Sequence, residues 1–232
     1  MFMPTWDNGT PHDWNSCFRK DFQVQFLAWA CENISEIEIF INPVPYMEHM
    51  NQNRNIELEI ILSLVKGKAH LREIARAINE PLSNVLRRVE KLKKENVLDY
   101  KQEGKNKVFF IKNNLNSRNY IYSAEFYKLS KLLSKYPNLS IILEDAKKNA
   151  PKGMIILFGS YAKGTAKEDS DIDIYIETTD NKIKNKVQEL NTKLSIKTGK
   201  FDLNSLLIKE IIKNHVIVRG VEDYYEKTGF FK

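Results

Sequence analysis

Met154-Ile155-Ile156-Leu157-Phe158-Gly159-Ser160, followed after a polar loop by Ser170-Asp171-Ile172-Asp173-Ile174-Tyr175-Ile176, is the stretch from which the fold can be read. An uninterrupted apolar run that ends at Gly-Ser predicts a buried strand, a tight turn and a short helix. In the second run Ile172, Ile174 and Ile176 alternate with Asp171, Asp173 and Tyr175, which predicts a strand with isoleucines on one face and both carboxylates on the other. Two anionic oxygen ligands then stand side by side on a rigid element. Gly159 lets the chain turn sharply and approach a ligand with its backbone, and Ser160 adds a hydroxyl and an N–H at a helix start, where phosphate is favoured. The expected site is a phosphate cradle beside a divalent cation. Asp-x-Asp alone is weak evidence, because most such surface pairs are only solvated. The flanking apolar strands give it weight.

Gly-Ser, ten residues, then Asp-x-Asp resembles the signature of the nucleotidyltransferase superfamily related to DNA polymerase beta, in its minimal nucleotidyltransferase branch. The resemblance implies that Gly159 and Ser160 grip the triphosphate of ATP while Asp171 and Asp173 hold two Mg²⁺ ions. It further implies a third carboxylate on a strand that follows a helix. Here Ile183, Val187, Leu190 and Leu194 predict a helix ending at Thr198-Gly199, and Phe201-Asp202-Leu203-Asn204 then reads as a strand with Asp202 turned away from Phe201 and Leu203. Asp202 fits the third position, where it would bind the catalytic ion and help deprotonate the acceptor hydroxyl; Glu177 is the other acid nearby. Lys163 stands where relatives often carry an arginine near the phosphates, with the charge but without the bidentate fork. A helix over 208–214, a strand over 216–218 and a helix over 221–227 complete the expected small domain.

Upstream, Ile56, Ile60, Ile61 and Leu64 predict one helix and Leu71, Ile74, Ala75 and Ile78 a second, closed by Asn79-Glu80-Pro81. A third starts at Leu82 with Val85, Leu86, Val89 and Leu92 as its buried stripe; strands over 97–101 and 107–112 meet at Glu103-Gly104-Lys105-Asn106. This order resembles a winged helix-turn-helix of the kind found in prokaryotic transcription regulators. Ser83, Asn84, Arg87, Arg88 and Lys91 on the third helix, with Lys105 and Lys107 on the wing, are the expected DNA contacts. The same face would serve equally as a solvated surface for protein contact. Phe126, Leu129, Leu132 and Leu133 predict a connecting helix that stops at Tyr136-Pro137, and Leu139, Ile142, Leu143 and Ala146 begin another.

The net charge of +6 is unevenly spread. Residues 1–50 hold two cations against seven acids, so the remainder carries +11. All three tryptophans and both cysteines, Cys17 and Cys31, also lie in that opening segment, and Pro43-Val44-Pro45 marks a boundary after the apolar run Ile34 to Ile41. It is compatible with a partner-binding extension, a packed appendage or a start site placed upstream of Met47 or Met50. Two cysteines without zinc-like spacing predict ordinary thiols. No apolar run is long enough to cross a bilayer and the start lacks a signal-peptide pattern, so a cytoplasmic protein is expected.

The expected fold class is α+β. A winged helix-turn-helix over 51–115 and a helical linker over 116–137 precede a polymerase beta-like nucleotidyltransferase domain over 138–232, a mixed sheet flanked by helices, with residues 1–50 as an N-terminal extension. Little chain remains around the sheet to enclose a small acceptor or follow a template, so the acceptor is expected to bring its own surface. Minimal nucleotidyltransferases of this kind resemble antitoxins that transfer AMP from ATP to a tyrosine of a HEPN-type toxin. The expected function is therefore a Mg²⁺-dependent protein adenylyltransferase with a DNA-binding head. The alternative is a transcription regulator whose transferase-like domain only senses nucleotide.

Overall fold

The computed structural model describes residues 54–231. The expectations for the N-terminal extension, its cysteines and its proline boundary lie outside these residues. Asn55 starts the first helix, α1 (Ile56–Val65), by accepting the Leu58 N–H on its side chain. β1 (Ala69–His70), α2 (Leu71–Ala77) and α3 (Leu82–Lys94) follow, then a hairpin of β2 (Leu98–Glu103) and β3 (Asn106–Ile111). Gly104, at φ +61, supplies the left-handed residue that a two-residue hairpin loop requires. β3 is the centre of a three-stranded antiparallel sheet, with β1 on one side and β2 on the other.

The connecting segment is a 21-residue helix, α4 (Leu115–Lys135), capped at its start by the Asn114 side chain and followed by α5 (Leu139–Asn149). Then come β4 (Ile155–Phe158), α6 (Gly159–Lys163), β5 (Ile172–Glu177), α7 (Asn181–Gln188), β6 (Leu194–Gly199), α8 (Leu206–Lys213), β7 (Val216–Arg219) and α9 (Val221–Lys227). Their sheet has the order β6-β5-β4-β7, with β5 parallel to β6 and antiparallel to β4, which is itself antiparallel to β7. This is a mixed α/β domain consistent with a nucleotidyltransferase-like fold. β4 is central and wholly buried, as an uninterrupted apolar strand must be.

The two faces of the sheet close different cores. Ile172, Ile174 and Ile176 pack with Ile155, Leu157, Leu139, Leu143 and Val187 under α5 and α7. On the other face Ile156, Tyr175 and Ile217 join Tyr224, Tyr225 and, through α4, the Ile60, Ile61 and Val89 core of the upstream helices. The described residues therefore form one compact unit rather than two bodies on a string. A buried polar knot sits in this shared core. Glu125, 1% exposed, accepts the Tyr225 hydroxyl at 2.9 Å and Lys128 Nζ at 3.3 Å. Polar residues of α4 are thus structural, and the helix is more than a spacer.

Three sequence expectations are corrected here. The segment Leu194–Gly199, expected as the end of a helix, is the parallel strand β6, and α7 stops at Gln188. Phe201–Asn204, expected as a strand, is a turn. Leu86 and Phe126, expected in apolar stripes, are 45% and 57% exposed.

Candidate active site

β4 delivers the chain to the site by ending at Phe158, directly opposite Asp173 of β5. Gly159 follows at φ +72, a conformation that L side chains avoid. A Cβ built on Gly159 would lie 2.1 Å from Asp173 Oδ2, so the carboxylate is packed against the glycine itself. Position 159 thus needs glycine for two independent reasons: the backbone conformation, and the space Asp173 occupies. Gly159→Ala is expected to cost about 1–3 kcal/mol, the scale of a strained left-handed residue plus displacement of a packed neighbour. Urea unfolding of parent and variant measures it.

Ser160 is the second residue of the five-residue helix α6, which Gly164 closes at φ +73 by donating to the Tyr161 carbonyl at 3.0 Å. Helix α4 braces this turn from below. Lys135 Nζ donates to the Gly164 carbonyl at 2.7 Å, and the Tyr136 and Tyr161 rings meet edge to face at 5.0 Å. Lys163 points across to α8, its Nζ 3.9 Å from Glu210 Oε1, both side chains largely in solvent. Asp171 is exposed at the mouth of β5, and Asp173 is half-buried. Ile172 anchors the strand start by donating its N–H to the Lys193 carbonyl at 2.8 Å.

The structure thus gathers Gly159, Ser160 and Asp173, with Asp171 two residues before Asp173 on the same strand. Asp202 lies past the end of β6. Strand β6 already fills the register beside β5, placing Ser195 opposite Asp173, Lys197 opposite Tyr175 and Gly199 opposite Glu177. The chain then turns, with the Phe201 ring against Tyr175 and Tyr224 at 6.2 and 5.8 Å and its N–H directed to Glu177 Oε1 at 3.4 Å. Asp202 is exposed in this turn, where Oδ1 accepts the Asn204 N–H at 2.9 Å. Among the described residues, no three His, Cys, Asp or Glu side chains come together as a metal site. Tyr175 is held neutral beneath the site, its phenol pushed up by burial and further by the charge of Glu177. Lys135 and Glu210 were not legible as site neighbours, because both act across long stretches of chain.

The upstream candidates divide into two groups. Arg88 Nη1 donates to Glu57 Oε1 at 3.0 Å, and Lys91 Nζ to the two Glu57 oxygens at 2.9 and 3.0 Å, tying α3 to α1. The hydrogen bond to Glu57 raises the Lys91 ammonium above its ordinary value. Asn84 donates to Glu80 Oε2 at 2.9 Å and accepts from Arg87 Nη2 at 3.1 Å. Ser83 and Arg87 are exposed, as is Lys105 at the hairpin tip. Lys107 Nζ lies 4.4 Å from the centre of the Tyr100 ring.

Comparison with known proteins adds a family match for the downstream half. Residues 139–226 match the family described as nucleotidyltransferase domain, and they contain every element of the Gly159 and Asp173 site. Among solved structures, a chain from a crystal structure described as a toxin-antitoxin with AMP-PNP is similar at 23% identity, covering 45% of this chain and 79% of that one, with a TM-score of 0.28. No curated protein matches. No helix among the described residues is long and apolar enough to cross a membrane.

Proposed function

We propose that the downstream half is a nucleotidyltransferase that binds a nucleoside triphosphate, ATP on the resemblance, at Gly159 and Ser160, and holds Mg²⁺ through Asp171 and Asp173. The observation that carries this reading is the packing of the Asp173 carboxylate against Gly159, which puts the turn and the acid strand at one point. Two carboxylates beside a phosphate-binding turn fit Mg²⁺, which keeps waters and substrate oxygens rather than a full protein cage. The ion, when bound with the triphosphate, neutralises charge on the phosphates. Ser160 and the backbone after Gly159 would orient the phosphate chain, and Lys163 would shift from Glu210 toward it. The acceptor, in this reading, is a protein of the HEPN-type toxin kind, and the protein acts as an adenylylating antitoxin. The upstream helices and hairpin form a winged helix-turn-helix that binds DNA. The test is incubation of the full chain with labelled ATP, Mg²⁺ and the products of neighbouring genes. Mg²⁺-dependent label on one of them is expected; tight nucleotide binding with no label on any would overturn the transferase reading.

One observation favours a second reading, in which the domain senses nucleotide without transferring it. Asp202, the expected third carboxylate, is in a turn beyond the end of β6 rather than on a strand, and among the described residues no three acids come together as a metal site. Asp202→Asn separates the two. If nucleotide binding carries the turn toward Asp173, the variant binds Mg·ATP within a few-fold of the parent and transfers at least about a hundredfold more slowly, the scale of a lost general base. Single-turnover labelling with calorimetry reads both. If neither property changes, Asp202 is a turn residue.

A further inference from the structure

We propose that the cleft formed by α2 and the turn leading into α3, edged by Arg72 and Arg76, seats the sugar-phosphate backbone of duplex DNA, while Arg88 and Lys91 of α3 belong to the fold rather than to the interface. This rests on the reading of the upstream half as a DNA-binding unit, and it replaces the residues a sequence would select for the contact.

Helical geometry and ion pairing together decide which cations are available. Val85, Val89 and Leu92 point α3 into the core. At 3.6 residues per turn the opposite side is then Ser83, Arg87, Glu90 and Lys94, with Arg88 and Lys91 displaced toward α1. There they share one acceptor, Glu57, whose side chain is mostly buried. If both turned to phosphates, the Glu57 carboxylate would be left stranded in a low-dielectric position. The outward side of α3 is also partly neutralised, since Glu90 accepts Lys93 Nζ at 3.2 Å. Of the α3 cations, Arg87 and Lys94 are the ones left on the outward side without an ion pair among the described residues.

The cleft beside it differs. It is an open depression of about 730 Å³, lined by Arg72, Arg76, Asn79, Glu80, Pro81 and Leu82. Arg72 and Arg76 are exposed and, among the described residues, neither makes an ion pair; Arg76 Nε is steered along the helix by the Arg72 carbonyl at 3.4 Å. The acid in the cleft, Glu80, is already engaged by Arg54 Nη1 at 2.7 Å and Asn84 Nδ2 at 2.9 Å, so it does not cancel the two guanidiniums. Residues four apart on a helix stand about 6 Å apart along its axis. A DNA strand offers a charge every ~3.4 Å of its own axis, so the two arginines can meet two phosphates of one strand. The Arg87 guanidinium is held by Asn84 at 3.1 Å. Contacts of this kind position a duplex without reading its sequence.

The test is fluorescence anisotropy of the full chain with a labelled duplex of mixed sequence over a range of salt. The parent is expected to bind with a clear inverse dependence on salt. Arg72→Ala with Arg76→Ala should lower the log–log salt slope by roughly two and weaken binding alike for unrelated sequences. Arg72→Lys with Arg76→Lys should restore most of the slope, because counterion release follows charge. Arg88→Ala with Lys91→Ala should change the slope by less than half as much and instead lower the unfolding midpoint, as Glu57 loses its partners. A parent that binds with a slope the Arg72 and Arg76 pair does not alter, or that the Arg88 and Lys91 pair alters more, overturns the assignment while leaving DNA binding in place. A parent that binds no duplex at any salt overturns the DNA-binding reading itself.

Discussion

Asp171→Asn combined with Asp173→Asn is expected to leave the sheet folded and to remove Mg²⁺-dependent nucleotide binding and transfer together. The fold should survive because what secures β5 is on its other face. Ile172, Ile174 and Ile176 are 3%, 0% and 0% exposed, and the ladders to β4 and β6 use main-chain groups alone. Asparagine also matches the shape of the aspartate that fills the space beside Gly159. What the variant loses is two negative charges within one strand turn of the phosphate-binding backbone. Magnesium binds through carboxylate and phosphate oxygens, and neutral amide oxygens are poor substitutes. A loss of at least about a thousandfold in transfer corresponds to about 4 kcal/mol of transition-state stabilisation. Calorimetry with Mg·ATP and labelling in parallel would measure both quantities, and circular dichroism would verify the fold. Label transfer at the parent's rate would remove Asp171 and Asp173 from the site.

Much of this site could be read from residues alone, for an identifiable reason. Both β4 and β5 announce themselves through patterns that only a buried strand and a one-sided strand produce, and Gly159 is forced by local geometry. The misreading of β6 came from an ambiguity of period. Leu190 and Leu194 are four apart and Thr198-Gly199 resembles a helix end, while the strand signal, Leu194, Ile196 and Thr198 alternating with Ser195 and Lys197, is only six residues long. With Leu194–Gly199 read as a helix end, the strand was expected at 201–204, whereas Asp202 lies in the turn that follows β6. The ion pairs of the upstream basic face were hidden for a different reason. Nothing in the spacing of Arg88 and Lys91 reveals that Glu57, more than 30 residues earlier, has already claimed both. Leu86 sits at a spacing that suits a core position, yet α3 turns it toward solvent because Val85, Val89 and Leu92 already complete the buried stripe.

The acid limb of the stability curve should belong largely to His215, immediately before β7. Its Nδ1 lies 3.0 Å from the Ile211 carbonyl, which can only accept, so the neutral ring carries its proton there. Nε2 is buried and has no partner among the described residues. A second proton would create a buried N–H without an acceptor, and the surroundings add further penalty. Burial first, then the charge of Lys128, offset in part by the Ile211 and Ile212 backbone and with Lys66 adding least, pushes the imidazole from 6.5 down to about 3. The Tyr224 ring packs tilted against the imidazole at 4.6 Å and stays neutral, its phenol raised by burial. The remaining charge nearby, Glu125, is occupied by Tyr225 and Lys128. The unfolded chain takes up a proton at His215 below about pH 6.5 and the folded chain does not, so the stability is complete above that pH and falls as pH drops toward 3. Its slope approaches about 1.4 kcal/mol per pH unit. From pH 6.5 to 4.5 the loss is on the order of 2 kcal/mol, before carboxylates contribute. Glu59 enters only later. Burial pushes its carboxyl up, but Arg54 and Lys131 outweigh that and hold it below its ordinary 4.5. Urea unfolding across this range is therefore expected to show a falling midpoint in the parent and a nearly flat one in His215→Phe, which keeps the ring against Tyr224 but cannot take a proton. His215→Gln serves the same purpose should the phenyl ring fail to pack. Parallel pH profiles in the parent and in a folded variant would place the acid sensitivity in another group.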